Sequence, residues 1–219
     1  MTVKVMHRLF ALIMTILMLA SMNTALAVDD GYPSTYTYNY DYWSDIRETP
    51  DAYYVTDVIY SGELGLDTAM KKPQSLFIRN QDIYVCDTNN NRIIQIHKND
   101  DGSYSLVRVI KEVKGTDVTT FNTPYDVFVD ENDNIYVADT NNSRVVMMDK
   151  ELNHIRSFVK PTDSTFDQSL SFMPSKIVVD NSGRLFVLAT NVNKGLVKYE
   201  ADGTFTGFIG AAPVKYTWY

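Results

Sequence analysis

One short pattern occurs three times along this chain at nearly even spacing, and this repetition limits the possible folds more than any other feature. Residues 83–94 read IYVCDTNNNRII, residues 135–146 read IYVADTNNSRVV, and residues 185–196 hold a weaker copy, LFVLATNVNKGL. A segment that begins with a proline precedes each copy, at Pro73, Pro124 and Pro174. Such self-similarity is typical of proteins built from stacked copies of one supersecondary unit, none of which buries its apolar face alone.

Each repeat has the pattern of four short β-strands, with no helical periodicity between them. In the second copy we predict four strands, at Asp126–Val129, Asn134–Ala138, Arg144–Met148 and His154–Val159. Short runs of β-branched and aromatic residues between turns rich in Asn and Asp are the signature of antiparallel hairpins. We therefore predict an all-β fold, a β-propeller of four-stranded antiparallel blades. Its three blades correspond to repeats at about residues 72–110, 123–159 and 173–210.

The repeated residues resemble those of the NHL-repeat family over about residues 72–210. The shared motif is P-x-x-[LV]-[FV]-[IV] followed by [IL]-[YF]-V-x-D-T-x-N-x-R, and two copies match it. The matching residues are Pro73, Tyr84, Asp87, Asn90 and Arg92 in the first copy, and Pro124, Tyr136, Asp139, Asn142 and Arg144 in the second. The third copy keeps Pro174 and Thr190, but it has Ala189 for the aspartate and Lys194 near the arginine position. The resemblance implies a propeller ring, which in this family usually has six blades.

Two further features precede the first repeat. Residues 28–51 form a tyrosine-rich segment, in which strict alternation from Thr35 to Tyr42 predicts a strand with its tyrosines on one face. Residues Ala52–Tyr60 resemble the outer strands of the blades, and we predict an orphan outer strand of the kind that closes a ring. Its partner strands are absent, so we expect a partial, open propeller within residues 52–219 and a truncated chain.

The first 27 residues have the pattern of a secretory signal peptide. Lys4 and Arg8 precede an apolar run that is too short to span a membrane, and residues 25–27 (Ala-Leu-Ala) suit a cleavage site. We therefore expect a mature protein that starts at Val28 and is secreted or held at the cell surface, with membrane attachment only through an anchor not seen in this chain. Loss of Lys4 and Arg8 takes the formal net charge from −7 to −9, which disfavours nucleic acid as a partner.

The repeated D-T-N-N-x-R element is the first candidate for a functional group. Asp87 with Arg92, and Asp139 with Arg144, lie five residues apart across a turn, where they can form charge-assisted pairs. We interpret these four residues as a structural motif of the repeat, because polar groups at turns mostly satisfy the backbone.

The sequence predicts no catalytic residue, no metal site and no cofactor. His97 and His154 are too few for a zinc site, and the acidic turns lack the spacing of an EF-hand loop. Cys86, the only cysteine, lies in an apolar strand, where we expect a buried and unreactive thiol.

Aromatic residues of the N-terminal segment are the candidate binding residues, namely Tyr36, Tyr38, Tyr40, Tyr42 and Trp43. Tyr and Trp provide rigid, amphipathic surfaces that suit sugars and peptides, although packing against a blade also accounts for them. We predict a secreted, non-catalytic NHL-type scaffold whose partner is a protein or a carbohydrate at the cell surface. The alternative is an extracellular propeller hydrolase or lyase resembling the lactonases, with catalytic loops partly outside this chain.

Overall fold

The computed structural model describes residues 37–49 and 57–210 of the chain. The chain divides into two compact units, Met1–Val58 and Ile59–Tyr219. Regular structure in the described residues is β-strand, apart from two three-residue 3-10 turns at Thr88–Asn90 and Thr140–Asn142. Within the same residues there is no helix with the length and apolarity needed to cross a membrane.

In the first unit, residues 37–49 form an antiparallel hairpin of β1 (Thr37–Tyr40) and β2 (Ile46–Thr49). The Asp41 side chain fixes its turn, because one carboxylate oxygen accepts hydrogen bonds from the backbone N–H groups of Trp43 and Asp45, both at 3.0 Å. The other oxygen accepts a bond of 2.9 Å from Arg47 Nε. The predicted strand from Thr35 to Tyr42 is therefore wrong at its C-terminal end, since the chain turns at Asp41.

The second unit contains three four-stranded antiparallel sheets, and the strands of each sheet pair in chain order. The first sheet consists of β3 (Ser75–Arg79), β4 (Asp82–Asp87), β5 (Arg92–Lys98) and β6 (Tyr104–Ile110). The second consists of β7 (Pro124–Val129), β8 (Ile135–Asp139), β9 (Arg144–Met148) and β10 (His154–Val159). The third consists of β11 (Pro174–Val179), β12 (Leu185–Ala189), β13 (Gly195–Tyr199) and β14 (Phe205–Gly210). These sheets are the blades of a β-propeller, and the prediction of three such blades is confirmed.

The middle blade is buried on both of its faces, and this explains why β8 is apolar at almost every position. Successive side chains of a strand point to opposite faces. Ile135 and Val137 accordingly belong to one apolar cluster with Cys86 of the first blade. Tyr136 and Ala138 belong to a second cluster with Val187 of the third blade. The blades are thus held face to face by burial of apolar side chains.

The segment leading into the first blade differs from the sequence prediction. Residues 57–60, the described part of the predicted outer strand Ala52–Tyr60, form no strand, and residues 52–56 lie outside the described residues. The Tyr60 carbonyl instead accepts a hydrogen bond of 3.3 Å from the Leu64 N–H, so the chain turns here. The buried side chain of Leu64 belongs to an apolar cluster with Ile94 of the first blade.

Candidate functional site

The first copy of the repeated turn forms a network of buried polar groups around Asp87. Asp87 ends β4 directly opposite Arg92, the first residue of β5. Arg92 Nε and Asn90 Nδ2 donate to the same oxygen of Asp87, at 2.7 and 2.8 Å, and the Lys71 N–H donates to the other oxygen at 2.6 Å. Asn91 adopts a left-handed conformation (φ 53°) that returns the chain into β5. The predicted pair is formed, and both of its side chains are buried.

The second copy reproduces this arrangement around Asp139. Arg144 Nε and Asn142 Nδ2 each donate to Asp139 Oδ2 at 2.8 Å, and the Asn122 N–H donates to Oδ1 at 2.7 Å. Ser143 takes the left-handed position, with φ 54°. Asp139 has no exposed surface and Arg144 is 5% exposed. The network therefore belongs to the repeat and not to one blade.

The two arginines differ in the contacts that they make beyond the turn. Arg92 donates through Nη1 to Asp67 Oδ1 at 2.9 Å and through Nη2 to the Thr68 carbonyl at 2.6 Å. Arg144 Nη2 is buried and has no hydrogen-bond partner among the described residues. Arg144 therefore depends on Asp139 for charge compensation, whereas Arg92 has a second carboxylate.

The threonine of the motif joins neighbouring blades. Thr88 Oγ1 donates to the carbonyl of Pro124, the first residue of β7, at 2.7 Å. Thr140 Oγ1 donates at 2.6 Å to the carbonyl of Pro174, the first residue of β11. In each complete copy, the aspartate thus stabilises the hairpin of its own blade, and the threonine links that hairpin to the first strand of the next blade.

The third copy lacks the ion pair and has a different loop. The loop between β12 and β13 has five residues, one more than the loop between β8 and β9. Gly195 begins β13 in the way that Arg144 begins β9, and Ala189 ends β12. Lys194 Nζ donates to the Thr165 carbonyl at 2.6 Å and lies 5.6 Å from the centre of the Phe208 ring.

The candidate binding aromatics are displayed at the turn of the β1–β2 hairpin. Tyr42 is 92% exposed and Trp43 is 76% exposed, and their rings meet edge to face with centroids 5.6 Å apart. Tyr40, at the end of β1, is also exposed. Tyr36 lies outside the described residues, as does the side chain of Tyr38. The structure therefore brings together only the residues of the turn.

A cavity of 180 Å³ lies where the inner strands β3, β7 and β11 end. Its lining includes Phe77, Arg79, Phe128, Asp130, Glu131 and Asp180. Sequence reasoning missed this site. One signal was present, because Arg79 stands where the other two repeats have Asp130 and Asp180.

The remaining chemically reactive side chains do not converge. Cys86 is fully buried, and this burial raises the pKa of its thiol well above the ordinary value. His97 Nδ1 lies 2.6 Å from Asp82 Oδ1, whereas His154 Nε2 lies 2.9 Å from Ser157 Oγ in another blade. Residues 37–49 and 57–210 contain no group of three or more His, Cys, Asp or Glu side chains that could hold a metal ion.

The blades and their repeated turn define a β-propeller repeat protein. Residues 121–146, which include β7 and β8, match the family model of the NHL repeat. No curated protein sequence matches the chain.

Solved structures of similar shape are known from several bacteria. Virginiamycin B lyase from Staphylococcus aureus shares 17% identity and a TM-score of 0.46, over 81% of this chain and 49% of the lyase. A protein from Lactobacillus plantarum shares 14% identity and a TM-score of 0.47, over 79% of this chain and 47% of its own. A functionally unknown protein from Desulfotomaculum acetoxidans shares 15% identity and a TM-score of 0.45, over 78% and 49%. The chain spans about half the length of these structures.

Proposed function

We propose that this protein is a non-catalytic scaffold of NHL-type blades that is secreted or held at the cell surface and binds a protein or a carbohydrate. The observation that carries this proposal is the aromatic pair Tyr42 and Trp43, which the hairpin turn displays to solvent. Large aromatic side chains dominate recognition surfaces because they bury much area for little loss of conformational entropy.

Hydrogen bonds to one side chain stabilise the turn that displays Tyr42 and Trp43, which favours recognition. Asp41 accepts three hydrogen bonds across the turn. The one from Arg47 Nε, at 2.9 Å, is also a salt bridge. Ser44 completes the turn with φ 65°, a conformation that non-glycine residues adopt infrequently. A preformed aromatic surface loses little entropy on binding, so a larger share of the contact energy appears as affinity.

Binding assays on the secreted protein test the proposal. We expect the wild-type protein to bind a component of a cell-surface extract or a glycan on an array. Tyr42→Ala and Trp43→Ala should each weaken this binding about tenfold or more, as truncation of a central aromatic contact does. The matched control is Tyr60→Ala, which removes another exposed tyrosine outside the hairpin.

Equal affinity of the Tyr42→Ala, Trp43→Ala and Tyr60→Ala proteins would contradict the proposal. Treatment of the captured material with proteases or with glycosidases distinguishes the two classes of partner. Turnover of lactone substrates by the purified protein would instead favour the hydrolase or lyase alternative.

Secretion is tested separately from binding. The signal-peptide pattern of residues 1–27 supports export, with cleavage expected after Ala27. The exported protein should therefore have Val28 as its first residue, as measured by mass spectrometry of the intact chain. A cytoplasmic protein that retains residues 1–27 would contradict this part of the proposal.

A further inference from the structure

The inner strands of the three blades are aligned so that equivalent residues of each repeat lie side by side. Ser75 Oγ donates to Asp126, and the Ile177 N–H donates to the other oxygen of Asp126 at 2.8 Å. Lys176 Nζ lies 3.6 Å from the same carboxylate. Ser75, Asp126 and Lys176 are the third residues of their repeats when each is counted from the starting proline. These contacts fix the register between β3, β7 and β11.

Two residues further along, the aligned side chains of the first two blades are aromatic. The rings of Phe77 and Phe128 lie with centroids 4.6 Å apart. Side chains two residues apart on a strand point to the same face, so the next aligned positions are Arg79, Asp130 and Asp180. All five of these residues line the cavity of 180 Å³.

The aspartates at this position stabilise the turns that follow. Asp130 Oδ1 accepts hydrogen bonds from the N–H groups of Asn132 and Asn134, at 2.8 and 2.9 Å. Asp180 likewise accepts two backbone bonds and also pairs with Arg184. Both carboxylates are therefore already engaged by their own turns.

Arg79 departs from this plan and makes no corresponding turn contact. Its turn is shorter, since Arg79 pairs directly with Asp82 across two residues. Arg79 forms no ion pair with any described residue, and its Nε is buried without a hydrogen-bond partner. Because Arg79 lines the cavity and its charge has no carboxylate partner in the described residues, its guanidinium is available to an acceptor within the cavity.

The cavity is also lined by a carboxylate that pairs with no cation of the protein in the described residues. Glu131 lines the cavity and forms no ion pair with the described residues. A guanidinium pairs best with a carboxylate or a phosphate. A phosphate would carry more negative charge into a lining that already holds Asp130, Glu131 and Asp180, and this repulsion disfavours it.

We propose that this cavity binds a small zwitterion, an α-amino acid with an apolar side chain. Its carboxylate accepts hydrogen bonds from Arg79, its ammonium group pairs with Glu131, and its side chain contacts the rings of Phe77 and Phe128. The cavity of 180 Å³ is smaller than the pockets that hold drug-sized molecules, which measure roughly 300 to 1,000 Å³. Its volume therefore suits a small ligand such as an amino acid. The inference does not depend on the aromatic hairpin, since no residue of that hairpin lines the cavity.

Calorimetric titration of the full chain with leucine, leucinamide and N-acetyl-leucine tests the proposal. Leucine should bind, and leucinamide should bind at least about tenfold more weakly because it lacks the carboxylate that pairs with Arg79. Arg79→Gln should weaken leucine binding by a similar factor. Glu131→Gln should weaken the binding of leucine but not that of N-acetyl-leucine, which has no ammonium group to pair with Glu131 and is itself an anion. Lys98→Gln is the control, because it removes one exposed positive charge outside the cavity.

Thermal unfolding measured by circular dichroism establishes that each variant is folded, and Arg79→Lys separates the loss of charge from the loss of the planar guanidinium. Leucine binding that is absent in the wild-type protein, or that is equal in Arg79→Gln and Lys98→Gln, would overturn the inference. Tighter binding of inorganic phosphate than of leucine would overturn the assignment to amino acids. Loss of glycan or protein binding in Tyr42→Ala leaves this result unaffected, so the two proposals fail independently.

Discussion

Replacement of Asp139 by alanine should destabilise the protein more than the same replacement at Asp87. Asp139 is fully buried and accepts hydrogen bonds from Arg144, Asn142 and the Asn122 backbone. Its removal leaves the buried guanidinium of Arg144 without a carboxylate, and breaking a buried pair in this way costs about 3 to 5 kcal/mol. We therefore expect Asp139→Ala to lower the free energy of unfolding by about this amount.

Asp87→Ala is the matched control, because the same three types of donor contact Asp87. Arg92 nevertheless keeps its bonds to Asp67 and to the Thr68 carbonyl after this change. The charge stays compensated, so the loss reduces to unmade hydrogen bonds, about 1 to 3 kcal/mol. Urea unfolding followed by circular dichroism measures both values.

The double variant Asp139→Ala/Arg144→Leu tests the reason for the difference. Removal of both partners leaves no buried charge, so this variant should be more stable than Asp139→Ala alone. The third repeat already lacks both groups, with Ala189 and Gly195 at the ends of its strands. The reasoning is refuted if Asp139→Ala is no more destabilising than Asp87→Ala, or if the double variant is as unstable as the single one.

Three further predictions follow from the same structure. Lys71 and Asn122 are equivalent backbone donors, and Val118 lies four residues before Asn122 as Asp67 lies four residues before Lys71. Val118→Asp should therefore compensate the charge of Arg144 and raise the free energy of unfolding, measured in urea, by about 0.5 to 1 kcal/mol. An unchanged midpoint would count against this. Cys86 should react with a thiol reagent only as fast as the protein unfolds, because it is fully buried; rapid labelling of the native protein would show otherwise. Burial raises the pKa of Tyr199 above its ordinary value of 10. Above pH 10 the folded protein therefore keeps the Tyr199 proton that the unfolded chain loses, so the free energy of unfolding should fall as the pH rises above about 10. This fall should be less steep in Tyr199→Phe, and an equal dependence on pH in the two proteins would contradict the prediction.

The blades could be predicted from the sequence because their signals are local and repeated. The strands Arg144–Met148 and His154–Val159 have the predicted bounds, since each runs between turns rich in Asn and Asp. The pairing of Asp139 with Arg144 is equally local, because a tight turn places the two residues opposite each other. The backbone donor to Asp139 comes from Asn122, however, and the motif carries no sign of this distant contact.

The aromatic hairpin and the cavity could not be predicted for different physical reasons. The alternation of tyrosines continues through Asp41, but three hydrogen bonds to the Asp41 carboxylate favour a turn over a longer strand. The cavity depends on the alignment of three strands from separate repeats, which the Ser75, Asp126 and Lys176 contacts establish only in the folded chain. Arg79 was visible as an exception among the copies, but its surroundings were not.

The hydrogen bonds of Thr88 and Thr140 have a consequence for how such a chain can change over evolutionary time. Each hydroxyl bonds to a main-chain carbonyl of the following repeat and not to a side chain. Every residue type carries that carbonyl, so the connection places little restriction on which amino acids the next repeat contains. The third repeat shows this tolerance: it has lost the aspartate and the arginine, yet its first strand still receives the Thr140 bond. Duplicated copies can therefore diverge in sequence while the mechanical link between them is inherited unchanged.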